Sequence, residues 1–196
     1  MGRYNCELRT GDVLLFQRRG LMGRLITLFT GGDKSHAELV VVEGGRTWSV
    51  GAHSDGVWCQ PVSSLLLRGE RVKVRRVPDG LPAPSGWRTR LVRLALSTVG
   101  VWRYNFRVFL RCAAWETLGA PAFDPDWGGL SDDELARRVR RVMCSQFVSW
   151  MLRRTAKCDP CPGWADRATT PDDLDQDEPA CRLVTVAEEL RLVGGP

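Results

Sequence analysis

The chain has little histidine, little lysine and no long apolar run. Histidine occurs twice in 196 residues, as His36 and His53, so any imidazole chemistry must pass through one or both. No stretch approaches the roughly 18 consecutive apolar residues of a membrane-spanning helix, so no transmembrane segment is expected. The opening "MGRYNCELRTGDV" has no apolar core of the kind a secretory leader carries. Synthesis in the cytoplasm is therefore expected, with any delivery to a periplasm or a target cell following another route. Internal repeats and low-complexity segments are missing. Zinc-finger spacing and aromatic-interleaved basic runs are missing too, which argues against nucleic acid as a partner.

With 43% apolar residues the chain can bury a good core, and a single domain over 1–196 is expected. The net charge of +5 comes almost wholly from arginine, since lysine occurs only at Lys34, Lys73 and Lys157. Such a surface is either simply solvated or meets anionic material. The densest cluster, "ARRVRR" at 136–141, follows "SDDE" on one expected helix. Ser131 can cap that helix, with Glu134 completing a capping box, and the arginines are expected toward the far end of the dipole. Seven cysteines leave at least one without an intramolecular partner. "KCDPCPGW" holds a CxxC, but only Cys181 follows it and no histidine does, too few ligands for structural zinc. A disulfide or free thiols remain; no metal and no cofactor are expected.

Periodicity gives the elements. "GDVLLF" reads as a short buried strand, and "GLMGRLITLFTGG" has helical spacing that stops at paired glycines. "HAELVVVEGGRTWSVGA" reads as a hairpin turning on Gly44-Gly45. "ERVKVRRV" alternates like a half-exposed strand. "WRTRLVRLALSTVG" and "YNFRVFLRCAAWETLG" read as helices ending at glycine. The apolar stripe slips by about two residues between "SDDELARRVRRV" and "CSQFVSWMLRR". That slip predicts a break near Val142–Met143 and a new helix from Cys144. "TTPDDL" reads as a helix start and "CRLVTV" as a strand. The fold class expected is α+β, an antiparallel sheet packed by helices.

The break places Cys144 at a helix N-terminus, where free N–H groups and the dipole favour thiolate. His36 opens a strand whose edge could bring its imidazole to that sulfur, the pairing of a thiol nucleophile with a general base.

"LRTGDVLLF", "SHAELVVVEGG", "CSQFVSWML" and "TTPDDL", in this order, resemble the circularly permuted NlpC-type papain-like cysteine hydrolases, over about residues 8–186. The resemblance implies a permuted papain-like fold, with Cys144 as nucleophile and His36 as base. Ser35 and Ser145 match small polar neighbours expected at the substrate site, and Tyr104 in "GVWRYN" matches a pocket wall. The family's usual histidine-orienting glutamate aligns with Gly51. His53 shares the face of Gly51 and Glu38 shares that of His36, so either could orient the ring, or neither. By the resemblance, the substrate is a bacterial cell-wall peptide or peptidoglycan fragment. A lipid-directed acyl hydrolase or acyltransferase using the same pair is the alternative, and a non-catalytic binding module is a third reading.

Overall fold

Unbroken apolar runs such as "VLLF" and "LVVV" require a sheet covered on both faces, because alternate side chains leave opposite sides. The computed structural model, which describes residues 3–18, 20–30, 32–105, 141–162, 169–177 and 181–193, contains such a sheet. Its strands are β2 (Val13–Phe16), β3 (His36–Glu43), β4 (Arg46–His53), β5 (Gly56–Pro61), β6 (Val72–Arg76) and β9 (Val184–Ala187), in the order β5-β4-β3-β2-β6-β9. All the pairings are antiparallel. The α+β expectation is met. Two small pairs flank the sheet: β1 (Arg3–Tyr4) with β10 (Leu192–Val193), and β7 (Arg103–Tyr104) with β8 (Arg141–Val142).

One face of the sheet carries Val13, Leu15, Ala37, Leu39, Val41, Val50 and Ala52. Against it pack α3 (Trp87–Thr98), through Trp87, Leu91 and Leu94, and α4 (Cys144–Ala156), through Phe147, Val148, Met151 and Leu152. The other face carries Leu14, Phe16, Val40, Val72 and Val74, covered by Val62 and Leu65 of α2 (Val62–Leu67). Helix α1 spans Leu21–Thr30.

The hairpin turns where expected, with Gly44 and Gly45 at φ 58° and 70°, the twist that suits a two-residue connection between right-twisted strands. Helix α4 begins at Cys144, where the slip in the stripe put it. Met143 N–H donates to Gln146 Oε1 at 3.2 Å, closing its first turn. "TTPDDL" forms only a single 3-10 turn, Asp173–Asp175, because Asp173 Oδ2 accepts from Thr170 N–H at 2.7 Å and ties the segment into a local loop. Strand β9 lies a little later than "CRLVTV" suggested. The helices read over 106–140 lie outside the described residues, and with them all of "ARRVRR" but Arg141.

Candidate functional site

His36 is the first residue of β3 and Glu38 lies two further on, so both side chains leave the same side of the sheet. On β4 the residues of that side are Ser49, Gly51 and His53. Glu38 reaches across toward β4 because Gly51 has no side chain: a Cβ there would stand 2.4 Å from Glu38 Cγ. The carboxylate thus fills the place where the sequence reading looked for a glutamate on the next strand.

Three donor groups converge here. Glu38 Oε1 lies 3.2 Å from His36 Nε2 and 2.9 Å from His53 Nε2. The separations are short, yet neither ring nitrogen makes a well-aimed hydrogen bond, and both are buried. Glu38 Oε2 accepts a close hydrogen bond from Ser49 Oγ, and Gln60 Nε2 donates to both oxygens at 3.4 Å. The imidazoles lean together with centroids 4.8 Å apart, and Phe16 meets the His36 ring edge-on at 5.2 Å. Glu38 is fully buried, His36 is 3% exposed and His53 8%.

Cys144 joins from the end of the sheet. Its sulfur hydrogen-bonds His36 and accepts from the backbone N–H groups of Ala37 and Ser145. The dyad that sequence reasoning placed together is therefore in contact. The sequence leaves open whether His53, Glu38 or neither orients His36; Glu38 is the group that touches both rings.

The charges follow from this packing. Burial alone would push His36 down, but Cys144 and then Glu38, both negatively charged beside the ring, lift it from 6.5 to about 9. Burial would raise Cys144, and His36 with the two N–H groups lowers it on balance. Burial would likewise raise Glu38, yet the two imidazoles hold it well below the carboxylate range. For His53 burial dominates and lowers the pKa. The result is a thiolate beside an imidazolium, with a carboxylate behind it. Such a thiolate is both a nucleophile and a soft metal donor; no catalytic activity follows from the geometry by itself.

The remaining sequence candidates sit in supporting positions. Ser35 Oγ accepts from Arg18 N–H at 2.8 Å, and Ser145 Oγ donates to Thr169 O at 2.6 Å. Both hydroxyls are buried and engaged with backbone. Tyr104 pairs with Val142 in β7–β8, half-buried at the edge of the core just before Cys144. The metal-ligand spacing was not legible. His36, Glu38 and His53 present ligand atoms all within 4.8 Å of one another, and the clue was a same-face pair, His36 and Glu38, beside a glycine on the next strand.

No family model matches the chain, and no curated protein matches it. Among solved structures it is similar to the metalloprotein yiiX from Escherichia coli O157:H7, DUF1105, at 19% identity and a TM-score of 0.54, over 96% of this chain and 97% of that one. At that identity the likeness shows the fold alone.

These findings correct two expectations. The NlpC-type, permuted papain-like resemblance is supported by no family match, and the fold neighbour carries a different family name. The pieces that carried the resemblance have architectural work instead. Gly11, at φ 95°, lets the Trp87 ring pack where a Cβ would be, and Asp12 grips Arg76 at 2.6 Å. Ser35 and Ser145 bind backbone, and Asp172 Oδ1 accepts from Lys34 N–H at 2.9 Å. The cysteine hydrolase of cell-wall peptides and its lipid-directed alternative are overturned with the family: the neighbour is named a metalloprotein, and the sulfur on which both depended is only 3% exposed.

Proposed function

We propose that this protein binds a divalent transition-metal ion through His36, Glu38 and His53. One observation carries the reading: two buried imidazole nitrogens without a hydrogen bond converge on one oxygen of a buried carboxylate. Buried polar atoms are almost always hydrogen-bonded, so two nitrogens that crowd one carboxylate oxygen without such a bond ask for a ligand all three can share.

The donor set suits the ion. Two histidines and a glutamate are the protein ligands of open zinc sites. Bonds of about 2.0–2.2 Å in a tetrahedral shell set ligand atoms roughly 3.3 Å apart, against the 3.2 and 2.9 Å that separate Glu38 Oε1 from the two ring nitrogens. Ser49 and Gln60 hold the carboxylate from behind, the support a ligating carboxylate requires. Cys144 contacts His36 but is not one of the three groups whose ligand atoms converge. The burial of the whole group admits an ion more readily than a polymer. The name of the fold neighbour, a metalloprotein, agrees. A bound ion of this class supplies Lewis-acid polarisation of an oxygen ligand.

Isothermal titration of chelator-treated protein with zinc tests the proposal. Saturable binding of one ion per chain is expected, with at least a roughly 100-fold loss of affinity in Glu38→Gln and in His53→Ala, beyond the 10–100-fold typical of a supporting residue. Binding that is absent, or that persists unchanged in both variants, would defeat it.

A further inference from the structure

Away from the metal site, three buried cysteines gather where the segment after α4 meets the strand leading into β9. Cys158 is 4% exposed, Cys161 1% and Cys181 0%. Spacing suggests the CxxC pair, Cys158 with Cys161. The structure gives the two different neighbours. Cys158 closes α4, its N–H donating to Leu152 O at 3.4 Å, and its charged neighbours are Arg182, Asp159 and, least, Cys181. Cys161 instead lies against Cys181, its thiol donating toward that sulfur. The two sulfurs sit at successive carbonyls of the 3-10 turn, Cys161 Sγ 3.5 Å from Asp173 O and Cys181 Sγ 3.6 Å from Leu174 O.

We propose that Cys161 and Cys181 form a disulfide, with Cys158 left as a free thiol. Two thiols in hydrogen-bonding contact are within a side-chain rotation of the bonded geometry. Cys181 is the attacking group. Its sulfur accepts from Leu183 N–H at 3.5 Å, and the guanidinium of Arg75 also favours its thiolate. The oxidant is a low-molecular-weight disulfide such as oxidised glutathione. Cys181 thiolate attacks one of its sulfurs and expels a glutathione thiolate, which takes the proton of Cys161. Cys161 thiolate then attacks the Cys181 sulfur and expels the second glutathione. Two protein thiols are oxidised and one small disulfide is reduced to two thiols. Because both sulfurs are buried, reaction with the oxidant requires local or global unfolding that exposes them.

The bond would close the loop that carries Thr169 and Asp172. Thr169 O accepts from Ser145 at the start of α4, and Asp172 holds the turn before β3. The crosslink therefore braces the two elements that present Cys144 and His36, without touching the metal ligands.

Metal-free wild-type protein is brought to constant composition in glutathione buffers of increasing oxidation, alkylated and mapped by peptide mass spectrometry. A Cys161–Cys181 linked peptide is expected, also in Cys158→Ser. The thermal midpoint of the oxidised form should rise by roughly 6–12 °C for a loop of this size in a chain of this length. A Cys158–Cys161 link, full alkylation of both Cys161 and Cys181 in the most oxidising buffer, or an unchanged midpoint would overturn the proposal. Wild-type mapping needs no folded Cys181 variant, and its outcome is independent of whether zinc binds.

Discussion

At the scale of single residues, the site depends on a vacancy. Glu38 occupies the space over Gly51, with a would-be Cβ 2.4 Å from its Cγ. Gly51→Ala must push the carboxylate away from both imidazoles or shift β4. Calorimetry and zinc titration should show a loss of about 1–3 kcal/mol in stability, the usual cost of overpacking, together with weaker metal binding. The Cys144–His36 pair makes a separate claim. An imidazole raised from 6.5 to about 9, taken singly, contributes stability that is complete below 6.5 and lost as pH rises through 9. A thiol lowered from 9.0 contributes in the opposite sense, in full above 9.0 and draining as pH falls. In metal-free wild type the proton on the ring is the one the thiol gave up, so the two trends offset between pH 6.5 and 9. NMR titration should find the His36 ring half-protonated near pH 9 in wild type. In Cys144→Ser, with the strongest raising influence gone and burial still opposing the charge, it should titrate well below that. An unchanged titration would mean that Cys144 is not the partner.

At the scale of elements, what positions the site is the meeting of β3, β4 and the first turn of α4. The period-2 runs, the Gly44-Gly45 turn and the slipped stripe before Cys144 made these elements legible in the sequence, because each is a local pattern. Cross-strand relations were not legible. That Gly51 faces Glu38 follows from the β3–β4 register, in which Leu39 pairs with Val50, and no local pattern fixes a register. The choice between His53, Glu38 and neither as the partner of His36 therefore stayed open, and the convergent metal-type triad went unread. Nor does any local pattern join Cys161 to Cys181, a contact made only when the 3-10 turn folds between them. Ser145 tests the supporting role of the α4 start. Its hydroxyl bonds Thr169 O at 2.6 Å, so Ser145→Ala should cost about 1 kcal/mol in denaturant unfolding and leave zinc affinity intact. A loss of zinc affinity as large as that of Glu38→Gln would give Ser145 a direct part in the site.

At the scale of the molecule, the sheet is covered on both faces and its central strands β2 and β3 are almost entirely buried. Metal ligands at the start of β3 and the end of β4 thus belong to the most protected part of the fold, and their occupancy is linked to global stability. An ion that binds the folded chain and not the unfolded one stabilises it by about 2.7 kcal/mol at a hundredfold excess over Kd. For a chain of this length that corresponds to a thermal midpoint raised by roughly 5–11 °C. The same linkage fixes the pH trend. An ion can take His36 only after the ring gives up the proton that Cys144 and Glu38 help hold, so binding releases protons and the zinc-induced shift should shrink as pH falls. Differential scanning calorimetry with and without zinc at pH 8 and pH 6 reads both effects. The shift should be large at the higher pH, smaller at the lower, and absent at either in His53→Ala. A shift that grows on acidification, or that survives loss of His53, would place the ion somewhere other than between these two strands.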